Sequence, residues 1–261
     1  MAGTRRLVGG SMRAEPAVKT DNAALLNMRG VSVHYDGAIS ALENIDFCVS
    51  ERALVALLGA NGAGKTTLMK AIAGMLPFER GEVTAGDITM NGVSCARAHP
   101  ATITRRGIAL VQDGRQCFRS MTVAENLGAA ALLKPARSRE MMEMVFGYFP
   151  MLKEMSAHTA GYLSGGQAQM LVIAMALMGQ PKLLMLDEPS LGLSPVMVQA
   201  VFDVVERVHR DLGTSVVIAE QTVPRLLKIA TDVYVLSRGR VAIHAPPVEI
   251  TEDQLQRVYL T

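Results

Sequence analysis

The residue types best suited to chemistry cluster at Gly59–Thr66, where GANGAGKT fits the P-loop spacing GxxxxGK[ST]. The glycines let successive backbone N–H groups point inward as an anion-binding nest, and the following helix would add its positive N-terminal end. Lys65 can then reach the β- and γ-phosphates of a nucleotide, and the Thr66 hydroxyl can hold Mg²⁺. The predicted phosphate-binding residues are Gly59, Asn61, Gly62, Ala63, Gly64, Lys65, Thr66 and Thr67.

Two adjacent carboxylates, Asp187 and Glu188, end the apolar run LLMLDE over residues 183–188. Such a run is typical of a strand buried in a parallel sheet, and ligands bind at the carboxyl ends of these strands. We therefore expect Asp187 to hold Mg²⁺, directly or through water. Glu188 is expected to orient or deprotonate the water that attacks the γ-phosphate. Without the P-loop, two exposed loop acids would be the simpler interpretation.

A second candidate anion site lies at Ser164–Gln167, just before an apolar helix predicted over residues 168–178. Ser164 is a suitable N-cap residue, and the two glycines that follow free backbone N–H groups to meet an anion. Taken alone, these residues fit a plain helix start equally well.

The elements that must position these residues alternate between strand and helix. Val31, Val33 and Tyr35 alternate as in a strand, and the apolar run 53–58 leads directly into the P-loop. This context disfavours the alternative, an ordinary glycine-rich turn with a solvated lysine. Strands alternating with helices predict an α/β fold with a mostly parallel sheet. Further strands are predicted over 45–49, 183–188 and 214–220, and a helix from the P-loop to near Gly74.

Capping patterns predict where other helices begin. Thr122–Glu125 has the pattern of a capping box, and Ser194 followed by proline predicts a helix that runs to Leu212 and stops at Gly213. The segment from about 115 to 163 has no buried-strand run, so we expect a helical insertion in the α/β core. The basic residues at 238–240 predict a hairpin turn rather than a nucleic-acid contact.

Composition narrows the possible classes of protein. Of 261 residues, 49% are hydrophobic and 19% charged, which excludes disorder as the overall state. A net charge of +2 is too balanced for a chain that wraps nucleic acid, and three widely spaced cysteines exclude a disulfide framework. The longest apolar stretch, 170–178, is far short of the roughly 20 residues of a membrane-spanning helix. Residues 1–24 lack periodicity and are expected to form a flexible tail, with no secretory signal.

In their order along the chain, the P-loop, LSGGQ and LLMLDE resemble the ATPase subunit of ATP-binding cassette (ABC) transporters, over about residues 25–260. The resemblance implies a P-loop NTPase (RecA-like) core with a mostly parallel sheet, N-terminal antiparallel strands and an inserted helical subdomain. It predicts an ABC ATPase domain over 25–261, with the α/β core at 25–114 and 164–261 and the helical insertion at about 115–163.

The same resemblance implies ATP and Mg²⁺ as ligands and a site shared between two chains. Signature residues of one subunit would close on the γ-phosphate that Lys65 of the other subunit holds. Tyr35 would stack on adenine, or else be a core tyrosine at a strand end. The signature residues are Ser164, Gly165, Gly166 and Gln167.

A finer resemblance, to the shorter-tailed ATPase subunit of branched-chain amino-acid importers, rests on LSGGQAQMLVIAMALM, LDEPSLGLSP, IAEQ and QRVYLT. Urea and short-chain amide importers share this pattern. The resemblance implies ATP-driven uptake at the cytoplasmic face of the inner or plasma membrane. Expected partners are a second ABC ATPase (in a homo- or heterodimer), transmembrane permease subunits and, indirectly, a solute-binding protein. A soluble ABC ATPase without a transporter is the alternative; a GTPase or small-molecule kinase is disfavoured, because no NKxD or TKxD sequence is present.

Four positions depart from the usual cassette pattern. Gln221 stands where most cassettes have a histidine; it can hydrogen-bond a γ-phosphate oxygen or a water but cannot titrate near neutral pH. The amino-acid importer group shares this glutamine, so Gln221 joins Glu188 and Lys65 as a predicted catalytic residue. In the Q-loop, where cassettes usually have a glutamine, that position falls on Asp113, and Gln112 lies one residue earlier; either residue could serve in its place. The remaining two departures are Ser194, in place of a common aspartate, and Met175, in place of a common arginine.

Overall fold

The computed structural model describes residues 24–133, 135–221 and 224–260. The tail predicted over residues 1–24 therefore lies outside the described residues except for Ala24, which begins the first strand. The strands are β1 (Ala24–Tyr35), β2 (Ile39–Ser50), β3 (Leu54–Gly59), β4 (Gly81–Met90), β5 (Val93–Ser94), β6 (Ile108–Val111), β7 (Leu183–Asp187), β8 (Ser215–Glu220), β9 (Asp232–Ser237) and β10 (Arg240–Ala245). The helices are α1 (Lys65–Ala73), α2 (Pro100–Arg105), α3 (Val123–Ala130), α4 (Ser138–Tyr148), α5 (Pro150–Glu154), α6 (Gly165–Met178), α7 (Pro195–Leu212), α8 (Pro224–Ile229) and α9 (Glu252–Leu260).

Two sheets organise the described chain. The larger has the strand order β10-β9-β3-β8-β7-β6; all its neighbours are parallel except the β9–β10 hairpin. The smaller is antiparallel, with the order β2-β1-β4-β5. The predicted α/β fold, with a mostly parallel sheet and N-terminal antiparallel strands, is confirmed.

The central strand β3 shows why an uninterrupted apolar run is needed. All six of its residues are buried, because side chains alternate between the two covered faces of the sheet. Leu54, Ala56 and Leu58 join the core shared with α6 and α7, whereas Val55 and Leu57 join the core between β3, α1 and the antiparallel sheet. Burial of each leucine or valine side chain stabilises the folded protein by about 1.5–3 kcal/mol. Strand β3 is therefore a rigid base for the loop that follows it.

The capping predictions are confirmed. Thr122 and Ser164 each begin a helix with a full capping box, and Ser194 caps α7, which ends at left-handed Gly213. Between residues 115 and 163 the described elements are helices and turns. The domain limits given above remain a prediction.

The parallel strands bring distant residues to one edge of the sheet. Register pairs Leu58 with Glu220, Asp187 with Ala219, and Val111 with Leu186. The residues that follow β3, β6, β7 and β8 therefore emerge side by side. Strand β6 was not predicted, because its four residues are too short for a periodic signal. Within the described ranges, every helix is too short or too polar to cross a bilayer.

Candidate active site

A cavity of about 530 Å³ lies at the carboxyl ends of β3 and β7. It collects most of the predicted phosphate, metal and catalytic residues around one space. Its lining consists of Ile39, Ser40, Ala41, Asn61, Gly62, Gly64, Lys65, Thr66, Thr67, Asp113, Asp187, Glu188, Arg238 and Gly239.

Lys65 is buried beneath the P-loop, with 4% of its surface exposed. Its Nζ donates to the carbonyl oxygens of Gly59 at 2.9 Å and Ala60 at 3.2 Å. The same nitrogen lies 3.2 Å from Oε1 of Glu188. An ammonium has three donors, so these three acceptors can satisfy it and hold it at the centre of the loop. The P-loop lysine and the proposed base are thus in direct contact.

Gly64 begins helix α1 in a conformation that favours glycine. Its φ is 108°, and a Cβ placed there would lie 2.7 Å from Leu42 Cδ2 and 3.2 Å from the Ala41 carbonyl oxygen. Glycine is therefore required at position 64 for two reasons: the positive φ, and the close approach of residues 41 and 42 of β2.

Replacing Gly64 by alanine should lower the free energy of unfolding by about 1–3 kcal/mol, because it adds both backbone strain and a steric clash. ATP binding should weaken as the loop shifts. Urea unfolding and nucleotide titration measure the two effects. Gly147→Ala is the matched control: it lies on helix α4 facing open space, so we expect it to stabilise the protein by up to about 1 kcal/mol. Equal stability of Gly64→Ala and the unchanged protein would contradict the argument.

Asp187 has the properties expected of a metal ligand. It is 3% exposed, and its Oδ1 has no hydrogen-bond partner among the described residues. Burial raises the pKa of this carboxyl and the negative charge of Glu188 adds to the rise, while a hydrogen bond from Thr66 opposes it. A buried, partly unsatisfied carboxylate beside a hydroxyl fits Mg²⁺, which when bound supplies positive charge against phosphate oxygens. Thr66 and Asp187 would hold it. No cluster of three or more His, Cys, Asp or Glu side chains suited to a metal occurs in the described ranges.

Glu188 lies one residue beyond β7 and adopts a left-handed backbone conformation, with φ of 45°. Its N–H donates to the Ala219 carbonyl at 2.9 Å, which ties this strained turn to β8. A left-handed non-glycine residue costs about 1–3 kcal/mol and persists only where the surroundings hold it. The turn directs the carboxylate toward Lys65 instead of continuing the strand.

The residues after β8 also reach the P-loop. Gln221 donates from Nε2 to Oδ1 of Asn61 at 2.6 Å. Glu220, predicted only as the last residue of a strand, is 5% exposed and accepts the Ser190 N–H at 3.0 Å. Burial raises the pKa of the Glu220 carboxyl, and the charge of Glu188 adds to this. The sequence signal for a functional Glu220 is its position as a carboxylate at the end of an otherwise apolar run.

The Q-loop alternatives separate in space. Asp113 lines the cavity described above, whereas Gln112 lines a different groove of about 340 Å³ between β6 and α6. Asp113 also accepts the N–H of Gly114 at 2.7 Å, which fixes the turn. The geometry therefore places the carboxylate, not the amide, beside the phosphate loop.

Other predicted residues lie apart from this cavity. Tyr35 is half-buried at the end of β1, where its ring packs closely over Gly81; it is not among the described cavity-lining residues. The signature residues at 164–167 begin α6 and are likewise outside the lining. Gly59 and Ala63 support the loop from behind, since the carbonyl of Gly59 holds Lys65 and Ala63 is buried.

Two arginines near the site were not singled out as functional. Arg115 Nη2 donates to the Leu191 carbonyl at 2.6 Å, and a methyl group on Gly165 would lie 2.8 Å from its Nη1. Arg115 therefore joins the Q-loop to the loop after β7 and to the start of α6. Arg238 forms the predicted hairpin turn with Gly239, both at positive φ, and also lines the cavity. No local pattern identifies such contacts.

The sheet order and the P-loop geometry define a nucleotide-binding domain of the P-loop class. Residues 42–191 match the family described as ABC transporter. The chain is 39% identical over 238 residues to the high-affinity branched-chain amino acid transport ATP-binding protein BraG of Pseudomonas aeruginosa, covering 90% of this chain and 99% of that protein.

Further relatives are also named as ATP-binding proteins of transport systems. A probable branched-chain amino acid transport ATP-binding protein, LivF of Archaeoglobus fulgidus, is 34% identical, covering 82% of this chain and 89% of LivF. The lipopolysaccharide export system ATP-binding protein LptB of Escherichia coli is 31% identical, covering 91% and 97%. The crystal structure of the cassette MJ1267 in its ADP conformation superimposes with a TM-score of 0.74 at 26% identity, covering 90% of this chain and 94% of that one. The chain belongs to the ATP-binding subunits of ABC transporters, a family that hydrolyses ATP.

Proposed function

We propose that this chain powers uptake of branched-chain or related amino acids by hydrolysing ATP for partner membrane subunits. The observation that supports ATP hydrolysis is the contact of Lys65 with Glu188 beside Asp187, all three lining the cavity of about 530 Å³ next to the P-loop. The solute class is supported by the names of BraG and LivF. The sequence resemblance to the importer group, which implies a glutamine at position 221, agrees with it. LptB is named for lipopolysaccharide export, so cassette sequence alone does not fix the cargo.

In the proposed reaction, the P-loop N–H groups and Lys65 bind the β- and γ-phosphates of ATP. Glu188 orients the attacking water and accepts its proton, with the Gln221 amide as a second hydrogen-bonding group at the γ-phosphate. Asp113 faces the same space and is the proposed Q-loop residue. Tyr35 is proposed to stack on adenine.

The second half of the proposed site comes from another subunit. Cassettes of this family work as dimers with membrane permease subunits. Ser164–Gln167 lie outside the P-loop cavity in this chain, with their capping box intact. We propose that these residues close on the γ-phosphate of a partner cassette, in a homodimer or a heterodimer. The assembly is proposed to sit peripherally on the cytoplasmic face of the membrane, with a solute-binding protein acting through the permeases.

Purification with the permeases tests the proposal. The chain should copurify from membranes with two hydrophobic subunits, and in proteoliposomes with the binding protein, leucine should stimulate ATP hydrolysis and accumulate. Urea replaces leucine in a parallel reaction, and Lys65→Ala is the inactive control. Stimulation by urea alone would instead assign a urea or amide importer. A partner-free dimer that hydrolyses ATP without membranes would overturn the transport proposal and favour a soluble ABC ATPase.

A further inference from the structure

The last described helix, α9, is held by a cap at its start and by packing against the larger sheet. Gln254 donates its backbone N–H to Thr251 Oγ1 at 3.2 Å, and its side chain accepts the Thr251 N–H at 2.8 Å, so the helix begins with a reciprocal cap. One turn later Leu255, 6% exposed, joins the core that contains Val233 and Val235 of β9. The position of the final turn of α9, which contains Tyr259, is therefore set by packing on the sheet.

Tyr259 reaches from this turn to the end of β8. Its hydroxyl donates to the backbone carbonyl of Gln221 at 2.5 Å. The last residue pair between β3 and β8 is Leu58 with Glu220, so Gln221 lies one residue beyond the ladder. The tyrosine hydroxyl supplies a hydrogen bond to the backbone at the point where the sheet stops.

The same glutamine is held a second time by its side chain, which donates to Asn61 of the P-loop at 2.6 Å. Tyr259 also lines a small cavity of about 120 Å³ together with Asn61, Gly62 and Ala63, so it lies next to the same loop. Gln221 therefore lies between two fixed groups, one on α9 and one on the P-loop.

We infer that Tyr259 is a positioning residue for ATP hydrolysis, whose hydroxyl fixes the backbone of Gln221 and thereby the direction of its amide. The inference rests on the role of Gln221 in the proposed function. An amide does not titrate near neutral pH, so orientation is what the protein can control in this group. Tyr259 is not among the residues that line the P-loop cavity, and its effect should therefore fall on kcat rather than on ATP binding.

Tyr259→Phe in the full chain tests the inference, because it removes the hydroxyl and keeps the ring. We expect kcat for ATP hydrolysis to fall about threefold to tenfold, as for one lost hydrogen bond, with KM for ATP within about twofold. Tyr148→Phe is the matched control. Tyr148 ends α4, and its ring lies 5.3 Å from the Arg207 guanidinium carbon with Asp211 nearby, both on α7. This variant also removes the hydroxyl of a half-buried tyrosine, but kcat should stay unchanged.

A double-mutant cycle with Gln221→Ala separates positioning from general stability. Tyr259→Phe should have little further effect on kcat once Gln221 is alanine. Unchanged kcat in Tyr259→Phe, or the same fold-loss in both backgrounds, would overturn the inference while leaving the role of Gln221 intact. If Gln221→Ala itself hydrolyses ATP at the unchanged rate, the assignment of Gln221 in the proposed function fails instead.

Discussion

Glu188→Gln should lower kcat for ATP hydrolysis by about 100-fold or more, the usual loss for a positioned general base. Glutamine has nearly the same shape but cannot accept the proton of the attacking water. Its carbonyl oxygen can still accept a hydrogen bond from Lys65, which lies 3.2 Å from Oε1 of Glu188. ATP affinity should therefore be preserved, and the variant should accumulate closed, ATP-bound dimers. Phosphate release, nucleotide titration and size-exclusion chromatography with ATP measure the three properties.

Glu143→Gln provides the same chemical change at an exposed position on α4, beside Arg139. It should hydrolyse ATP at the unchanged rate, since a surface ion pair contributes little. Full hydrolysis by Glu188→Gln would remove the assigned base. Equal loss of ATP binding and hydrolysis would indicate instead that the substitution damages the P-loop through Lys65.

Asp187→Asn should have opposite effects on activity and stability. Hydrolysis should fall by about 100-fold or more, because the carboxylate that would hold Mg²⁺ is lost and a metal ion contributes several kcal/mol of charge stabilisation. Without nucleotide and in EDTA, the variant should melt about 2–4 °C higher, the shift expected for roughly 1 kcal/mol in a chain of this size. The reason is that burial penalises the ionised form of Asp187 and raises its pKa.

The sign of the pH dependence follows from that direction. A carboxyl whose pKa is higher in the folded than in the unfolded chain binds its proton more tightly when folded. Its contribution to stability is therefore largest below the unfolded value and falls as pH rises through the raised folded pKa. Melting temperatures of Asp187→Asn and the unchanged protein should coincide near pH 4 and separate toward neutrality. Asp36→Asn, an exposed carboxylate near Arg80, should show no comparable separation. A lower melting temperature for Asp187→Asn at neutral pH would contradict the argument.

The local parts of the site could be predicted because short patterns determine them. The P-loop, the strand ending in Asp187, and the caps at Ser164 and Ser194 each depend on neighbours within a few residues. Turn and cap chemistry acts over that distance, and buried parallel strands require continuous apolar runs. For the same reason the α/β architecture follows from the order of the runs.

The contacts that complete the site depend on strand order and could not be predicted in this way. Asp113 faces the cavity and Gln112 does not, a choice set by the direction in which the chain leaves β6. Tyr259 lies 38 residues from Gln221 in sequence. The buried position of Glu220 likewise follows from the packing around β8. Such contacts have no local signature, because they arise only after the sheet has assembled.

The contact between Lys65 and Glu188 has a consequence for the order of events at the site. As long as the two side chains remain paired, Oε1 of Glu188 is engaged by the Lys65 ammonium at 3.2 Å. A phosphate oxygen that approaches Lys65 competes with Glu188, which unlike the two carbonyl oxygens belongs to a side chain that can rotate away. Binding of ATP would therefore release Glu188, the proposed base, only when the phosphate that the water attacks is already in place.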